Sequence, residues 1–243
     1  MKFKNSSLFT SRLSKLDHRI NKACLQNKRE RSSVKILAVT KKKSVDDIRL
    51  AISHGLKNFG ENYLNEAIEK KSMLEAESNK NFIEWHYIGS IQKNKTKKIA
   101  ENFNWIHSVD RFEVAQRLSD QRPLNMEPLK IFLQINIDEE TTKSGVMPQK
   151  AKELAILIAK LPNLNLHGLM AIPTASGLLE DQKRSFLKLR ELKNKINKLN
   201  EIKTKLKSLS MGMSSDLEAA IDACDSNTET WLRIGTALFG KRN

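Results

Sequence analysis

Eight short apolar runs recur along this chain, and each is followed by a stretch whose apolar residues fall at helical spacing. The runs lie at 34–40, 57–62, 83–89, 105–110, 130–137, 164–172, 207–211 and 231–234. Runs of this length, rich in Val, Ile and Leu, read as strands buried on both faces. Strands that alternate with helices imply a parallel sheet, because parallel neighbours need a long crossover connection. Eight units in about 210 residues lie near the lower size of a closed (β/α)8 TIM barrel, with a doubly wound open sheet as the alternative α/β fold. An extra N-terminal helix is expected over about 5–27, with Leu8, Leu13, Leu16, Ile20 and Ala23 on its apolar side. The loop at 122–128 holds two prolines and is the best place for a domain boundary. The same pattern resumes after it, so one domain over 1–243 is expected.

Composition excludes several functions. The net charge is +15, but the lysines are spread along the whole chain and aromatic residues make up only 6%. That argues against a dedicated nucleic-acid surface, where basic side chains cluster. Cys24 and Cys224 stand apart, and His18, His54, His86, His107 and His167 show no ligand spacing. Neither a disulfide framework nor a metal site is expected. His86, His107 and His167 are expected to be hydrogen-bonded barrel residues. No run is long and apolar enough for a membrane span, and the N-terminus lacks the apolar stretch of a signal peptide. The expectation is a cytoplasmic protein with no membrane partner.

In a barrel the ligand site forms at the carboxyl ends of the strands. The first run ends on Lys41-Lys42-Lys43, which taken alone is an ordinary solvated loop. Glu61 and Asn62 follow the second run, Gly89 and Ser90 the third, and Asn136 and then Lys143 the fifth. Met211-Gly212-Met213-Ser214-Ser215 follows the seventh, and Arg233-Ile234-Gly235-Thr236 ends the eighth. Phosphate sites commonly lie after strands seven and eight. Ser214 or Ser215 suits the N-cap of a helix over 216–223, where backbone N–H groups and the dipole favour an anion. Gly235 and Thr236 offer a bare backbone and a second hydroxyl. Each site alone reads as an ordinary cap or turn; the pair, at strands seven and eight together, points to phosphate.

A lysine amine opposite a phosphate pocket suits an aldehyde that carries a phosphate, and pyridoxal 5′-phosphate (PLP) is such a molecule. The like charge of Lys43 is expected to help keep the Lys41 amine neutral. A guanidinium at Arg233 can only donate to a pyridine nitrogen, which leaves the ring a weaker electron sink than a carboxylate partner would.

Six motifs carry a family resemblance. They are Ala38-Val39-Thr40-Lys41, Phe59-Gly60-Glu61-Asn62-Tyr63, the run from Trp85 to Lys95, His167-Gly168-Leu169-Met170, the run from Ser210 to Asp216, and Arg233-Ile234-Gly235-Thr236. In this order they resemble the pyridoxal phosphate homeostasis family, also called YggS or PROSC proteins, over nearly the whole chain. The resemblance implies a barrel similar to the alanine racemase N-terminal domain, with PLP held covalently as a Schiff base at Lys41. It implies Arg233 at the pyridine nitrogen, Asn62 beside the ring, Ser214, Gly235 and Thr236 around the phosphate, Met211 near the phosphate loop, and Lys143 as a second lysine near the pocket. A racemase needs a second base on the opposite face, and the sequence ends at Asn243, just after the eighth unit. Tyr63 and Tyr87 read as packing residues. A monomeric PLP carrier that serves PLP-dependent apoenzymes is therefore expected over the alternative, a low-activity amino-acid racemase.

Overall fold

The computed structural model describes residues 2–76, 83–174 and 179–240. Eight strands run in chain order: β1 (Val34–Val39), β2 (Asn58–Glu61), β3 (Glu84–Tyr87), β4 (Trp105–Val109), β5 (Leu129–Gln134), β6 (Leu164–Met170), β7 (Ser208–Ser210) and β8 (Glu229–Ile234). Every neighbouring pair is parallel, and the sheet closes on itself. The closing seam pairs β1 with β8 from Val34↔Thr230 to Ala38↔Ile234. Closure decides between the two α/β folds that the alternation allowed: this is a (β/α)8 barrel.

The helices are α1 (Lys2–Gln26), α2 (Val45–Ser53), α3 (Leu64–Glu75), α4 (Thr96–Asn102), α5 (Phe112–Asp120), α6 (Ala151–Ile158), α7 (Leu179–Ile196), α8 (Leu217–Asp222) and α9 (Thr236–Phe239). Helix α2 starts in a capping box: Ser44 Oγ accepts from the Asp47 N–H at 3.1 Å, and Asp47 Oδ2 accepts from the Ser44 N–H at 3.0 Å. Such a cap satisfies two backbone donors that a helix start otherwise leaves bare. Gly55 follows the end of α2 with φ +83°, the left-handed step that glycine takes without a Cβ penalty. Helix α1 lies outside the barrel against α8 and α9. Phe9, Leu16, Ile20 and Ala23 are its buried residues, whereas Leu8 is exposed. The apolar stripe is therefore one residue off the expected one at its start.

Side chains alternate across each strand, so one set faces the barrel axis and the other faces the helices. Ala38, Phe59, Ile106, Ile131, Leu209 and Leu232 belong to the outer core under the helices. Leu37, Trp105, Phe132, Met170 and Trp231 form a separate inner cluster. Beneath it lie charged inward residues, where Lys35 pairs with Glu229 at 3.7 Å and Lys130 with Glu84 at 3.0 Å. Glu229 also accepts from Ser208 Oγ at 2.6 Å and Trp231 Nε1 at 2.9 Å. The barrel axis is thus filled by layers of side chains, and a cavity lies above the inner cluster, at the carboxyl ends of the strands.

Candidate functional site

Leu37, Val39 and Lys41 share one phase of the alternation. Leu37 sits in the inner cluster and Val39 lines a cavity above it, so Lys41 reaches that cavity from the end of β1. The chain on both sides of Lys41 is tied down. Thr40 Oγ1 donates to Glu61 Oε1 at 2.7 Å, and the Thr40 carbonyl accepts from Lys70 Nζ at 2.7 Å. Lys70 Nζ also donates to Glu61 Oε1 at 2.8 Å and to Glu66 Oε1 at 2.6 Å. The Lys42 N–H donates to Glu66 Oε1 at 2.6 Å, with Lys42 at φ 60°. Lys42 is exposed and is not among the residues that line the cavity. Burial pushes the Glu61 carboxyl above its ordinary range, and the Lys70 ammonium and Thr40 hydroxyl pull against that rise. Its second oxygen, Oε2, is buried without a partner.

Across the β1–β8 seam from Lys41, the loops after β7 and β8 are joined. Asp216, not Ser214 or Ser215, takes the N-cap position of α8, and its Oδ1 accepts from the Met213 N–H at 2.5 Å. Ser214 Oγ instead accepts from the Ala237 N–H at 3.1 Å, in the first turn of α9. The expected cap is therefore a cross-link: the hydroxyl of one loop serves the helix start of the other. Arg19 of α1 supports this loop from outside. It forms a bidentate pair with Glu218 at 2.7 and 2.8 Å and donates to the Ser214 carbonyl at 3.1 Å.

Arg233 rises from β8 between these two sides. It is buried, with Nη1 donating to the Ser210 carbonyl at 2.6 Å and to Ser210 Oγ at 2.8 Å, and Nη2 donating to the Ala171 carbonyl at 2.9 Å. Burial lowers its pKa to about 10, with Asp216 acting in the other direction, so it remains a cation at neutral pH. Three of its five N–H groups are engaged by neutral protein oxygens, which leaves two for a ligand.

Six of the seven residues singled out in the sequence line this one cavity of about 480 Å3: Lys41, Asn62, Ser214, Arg233, Gly235 and Thr236. Its volume falls within the roughly 300–1,000 Å3 typical of small-molecule sites. The seventh, Met211, is not among the lining residues. Leu209 and Met211 share the outward phase of β7, and Met211 is fully buried in the core beneath the helices. Neither of the two supporting lysines, Lys43 and Lys143, is among the residues that line the cavity. Lys43 Nζ points to the Phe239 carbonyl at 3.5 Å. Lys143 Nζ is held by Glu140 Oε1 at 2.9 Å and Thr174 Oγ1 at 3.0 Å and does not line the cavity.

The residues present fit a phosphorylated, ring-bearing aldehyde. Lys41 brings an amine and Arg233 a guanidinium to a cavity whose walls include Ile88 and Met170. Asn62 Oδ1 is buried without a protein partner. Gly235 needs its missing side chain for no reason internal to the protein: its φ is −113°, and an added Cβ would meet Val39 only at an ordinary 3.6 Å. A glycine that neither backbone strain nor packing requires leaves room for close approach of a ligand to the backbone. Among the described residues no group of three or more His, Cys, Asp and Glu is arranged to hold a metal ion.

Sequence reasoning missed Lys70, Ser210 and Arg19. Lys70 was one more lysine on an amphipathic helix. Ser210 is the one with a readable signal, because it shares the inward phase of β7 with Ser208.

Comparison with known proteins agrees with this geometry. The profile of the alanine racemase N-terminal domain matches residues 12–243. The pyridoxal phosphate homeostasis protein of Pseudomonas aeruginosa is 46% identical over 237 residues, covering 98% of this chain and 97% of that protein. The Escherichia coli K12 protein of the same name is 39% identical over 231 residues, covering 95% of each. Among solved structures, PipY of Synechococcus elongatus with PLP bound superposes with a TM-score of 0.79 at 30% identity, over 96% of this chain and all of PipY (100%). The alanine racemase of Corynebacterium glutamicum shares the fold, with a TM-score of 0.64 at 15% identity, over 91% of this chain and 59% of the racemase.

Proposed function

We propose, from the premise that this chain belongs to the alanine racemase N-terminal domain family and among its members to the pyridoxal phosphate homeostasis proteins, that it holds PLP in the cavity at the carboxyl ends of its strands and takes part in intracellular PLP balance. The observation that carries this reading is the convergence of Lys41, Arg233 and the Ser214–Gly235–Thr236 group on one cavity. When bound, PLP supplies an aldehyde that condenses reversibly with an amine. Lys41 provides that amine and holds the cofactor covalently. The Thr40–Glu61–Lys70–Glu66 network fixes the backbone from which Lys41 projects. Arg233 donates to the ring nitrogen and, as a guanidinium, does not protonate it. Asn62 lies beside the ring. Ser214, Gly235 and Thr236 take the phosphate, and Arg19 braces that loop from α1.

The carrier reading is favoured over a racemase by the placement of the tyrosines. Tyr63 is 50% exposed, and Tyr87 is buried with its hydroxyl donating to the Ser90 carbonyl at 3.1 Å. Burial raises the Tyr87 pKa, which disfavours the phenolate that a base would need at neutral pH. Neither lines the cavity of Lys41. A two-base racemisation needs a second group on the opposite face of the ring. We read the protein as a single barrel domain acting as a monomer in the cytoplasm, passing PLP to apoenzymes. Among the described residues no helix is long and apolar enough to cross a membrane.

The test is an absorbance spectrum of PLP-loaded protein before and after borohydride, with mass mapping of the modified residue. The adduct is expected on Lys41 and absent in Lys41→Ala. A full-strength adduct in that variant would overturn the assignment, and sustained racemisation of L-alanine by the parent protein would favour the racemase.

A further inference from the structure

Below the cavity, the barrel interior holds a chain of hydrogen bonds that the PLP reading does not use. Starting from Arg233, Nη1 donates to Ser210 Oγ at 2.8 Å. Ser210 Oγ lies 2.7 Å from His107 Nδ1, His107 Nε2 lies 3.0 Å from His86 Nδ1, and His86 Nε2 lies 3.2 Å from Asn58 Oδ1. The five residues come from β8, β7, β4, β3 and β2, so the chain crosses the barrel axis.

Its direction follows from the donor inventory. Ser210 Oγ accepts from Arg233, and its own proton then goes to His107 Nδ1. That places the His107 proton on Nε2, which donates to His86 Nδ1. The His86 proton is likewise on Nε2 and donates to the Asn58 carbonyl oxygen. Every link has one donor and one acceptor. Reversing the chain sets a bare His86 Nε2 against Asn58 Oδ1, lone pair to lone pair, and takes His107 away from the Ser210 proton. A second proton on either ring breaks the sequence too. Both rings are fully buried, His86 stacked on Trp105 at 5.3 Å and packed against Trp231 at 4.9 Å. Burial holds both well below the ordinary histidine range, helped by Lys130 near His86 and by His86, Arg233 and His167 around His107.

We propose that Ser210 and His107, backed by His86 and Asn58, are positioning residues for Arg233: they hold its guanidinium by a one-way hydrogen-bond chain that runs away from the cavity and keep it a pure donor toward the ligand. This rests on the PLP reading for the identity of that ligand. The acceptors of Arg233, the Ser210 and Ala171 carbonyls and the Ser210 hydroxyl, are all neutral oxygens. None is a base that takes a proton from the guanidinium at neutral pH. The two remaining N–H groups therefore present a fixed donor face to a ring nitrogen.

Two measurements test this. In ligand-free protein labelled with 15N histidine, His86 and His107 are expected to be neutral Nε2–H tautomers from about pH 5.5 to about pH 8.5, a range in which a solvated imidazole titrates. An Nδ1–H tautomer at either ring, or titration within that range, overturns the chain. Next, the affinities of PLP and of pyridoxal, which lacks the phosphate, are measured by fluorescence titration. Ser210→Ala is expected to weaken both by the same factor, roughly tenfold. Ser214→Ala should weaken PLP and leave pyridoxal unchanged. Unaltered affinity for both ligands and an unaltered bound-ligand spectrum in Ser210→Ala overturn the positioning role. If the parent protein binds neither ligand, the PLP reading fails and the chain's role with it, while the nitrogen shifts still decide the chain's direction. They also decide it should Ser210→Ala fail to fold.

Discussion

Lys70→Met isolates the network that holds the Lys41 backbone. The ammonium spends its three protons on the Thr40 carbonyl and on the carboxylates of Glu61 and Glu66. Methionine keeps the length of the side chain and removes the charge. Glu61, fully buried, then keeps the hydrogen bond from the Thr40 hydroxyl but no longer has the ammonium beside it. Breaking a buried pair from one side costs about 3–5 kcal/mol, because the stranded charge keeps its desolvation penalty. For a chain of this size each kcal/mol moves the melting temperature by roughly 2–4 °C, so a fall of roughly 6–20 °C is expected near neutral pH. The pH dependence has a definite sign. The Glu61 carboxyl is already raised by burial and rises further without the ammonium. A carboxyl with a raised folded pKa contributes stability that is fully present below its unfolded value, near 4.3, and lost as pH rises through the folded value. The deficit of Lys70→Met against the parent is therefore expected to be small at about pH 4 and full at about pH 8. Adding Glu61→Leu removes the stranded charge and should restore at least half of the loss. Scanning calorimetry across this pH range checks all three. If Lys70→Met melts within about 2 °C of the parent at neutral pH, or the second substitution rescues nothing, the account of this network is wrong.

Two further outcomes follow from the packing. Gly89→Ala would place a Cβ 2.1 Å from the Asn62 carbonyl oxygen, with only backbone able to give way. It should weaken PLP capture by displacing Asn62 and lower the melting temperature, measured by titration and by calorimetry. Glu229 has its pKa lowered to about 2 because, although burial opposes it, hydrogen bonds from His167, Ser208 and Trp231 outweigh the desolvation. Its contribution is present above the unfolded carboxyl value and lost as pH falls toward about 2, so Glu229→Gln should flatten the acid limb of the stability profile, read by urea unfolding.

The barrel was legible because burial on both faces leaves each strand a continuous apolar run, and eight such runs allow few topologies. Lys41 taken alone reads as the start of a solvated loop and is singled out by the family motifs, although counting by twos from Leu37 carries the inward phase through Val39 to residue 41. The same count places Met211 outward with Leu209, in the core under the helices and not among the residues that line the cavity. What the sequence hid is non-local. Ser214 sits where an N-cap belongs, and nothing along the chain says that its hydroxyl serves α9 instead of α8. Lys70 looks like any solvated helix lysine until β2 brings Glu61 beneath it. His107 and Ser210 meet only across the barrel axis.

The β1–β8 seam has a consequence for when the site exists. Lys41 belongs to the first strand and Arg233 to the last, and they face one cavity because Leu37 pairs with Arg233 and Ala38 with Ile234. A chain still lacking its final strand can present the lysine but not the floor or the anion pocket. A ligand gripped from both sides acts as a clasp on the fold. It favours the closed ring over every state in which the seam is open, by an amount set by its concentration relative to its dissociation constant. Capture of a ligand at this cavity would thus report that β8 has closed against β1.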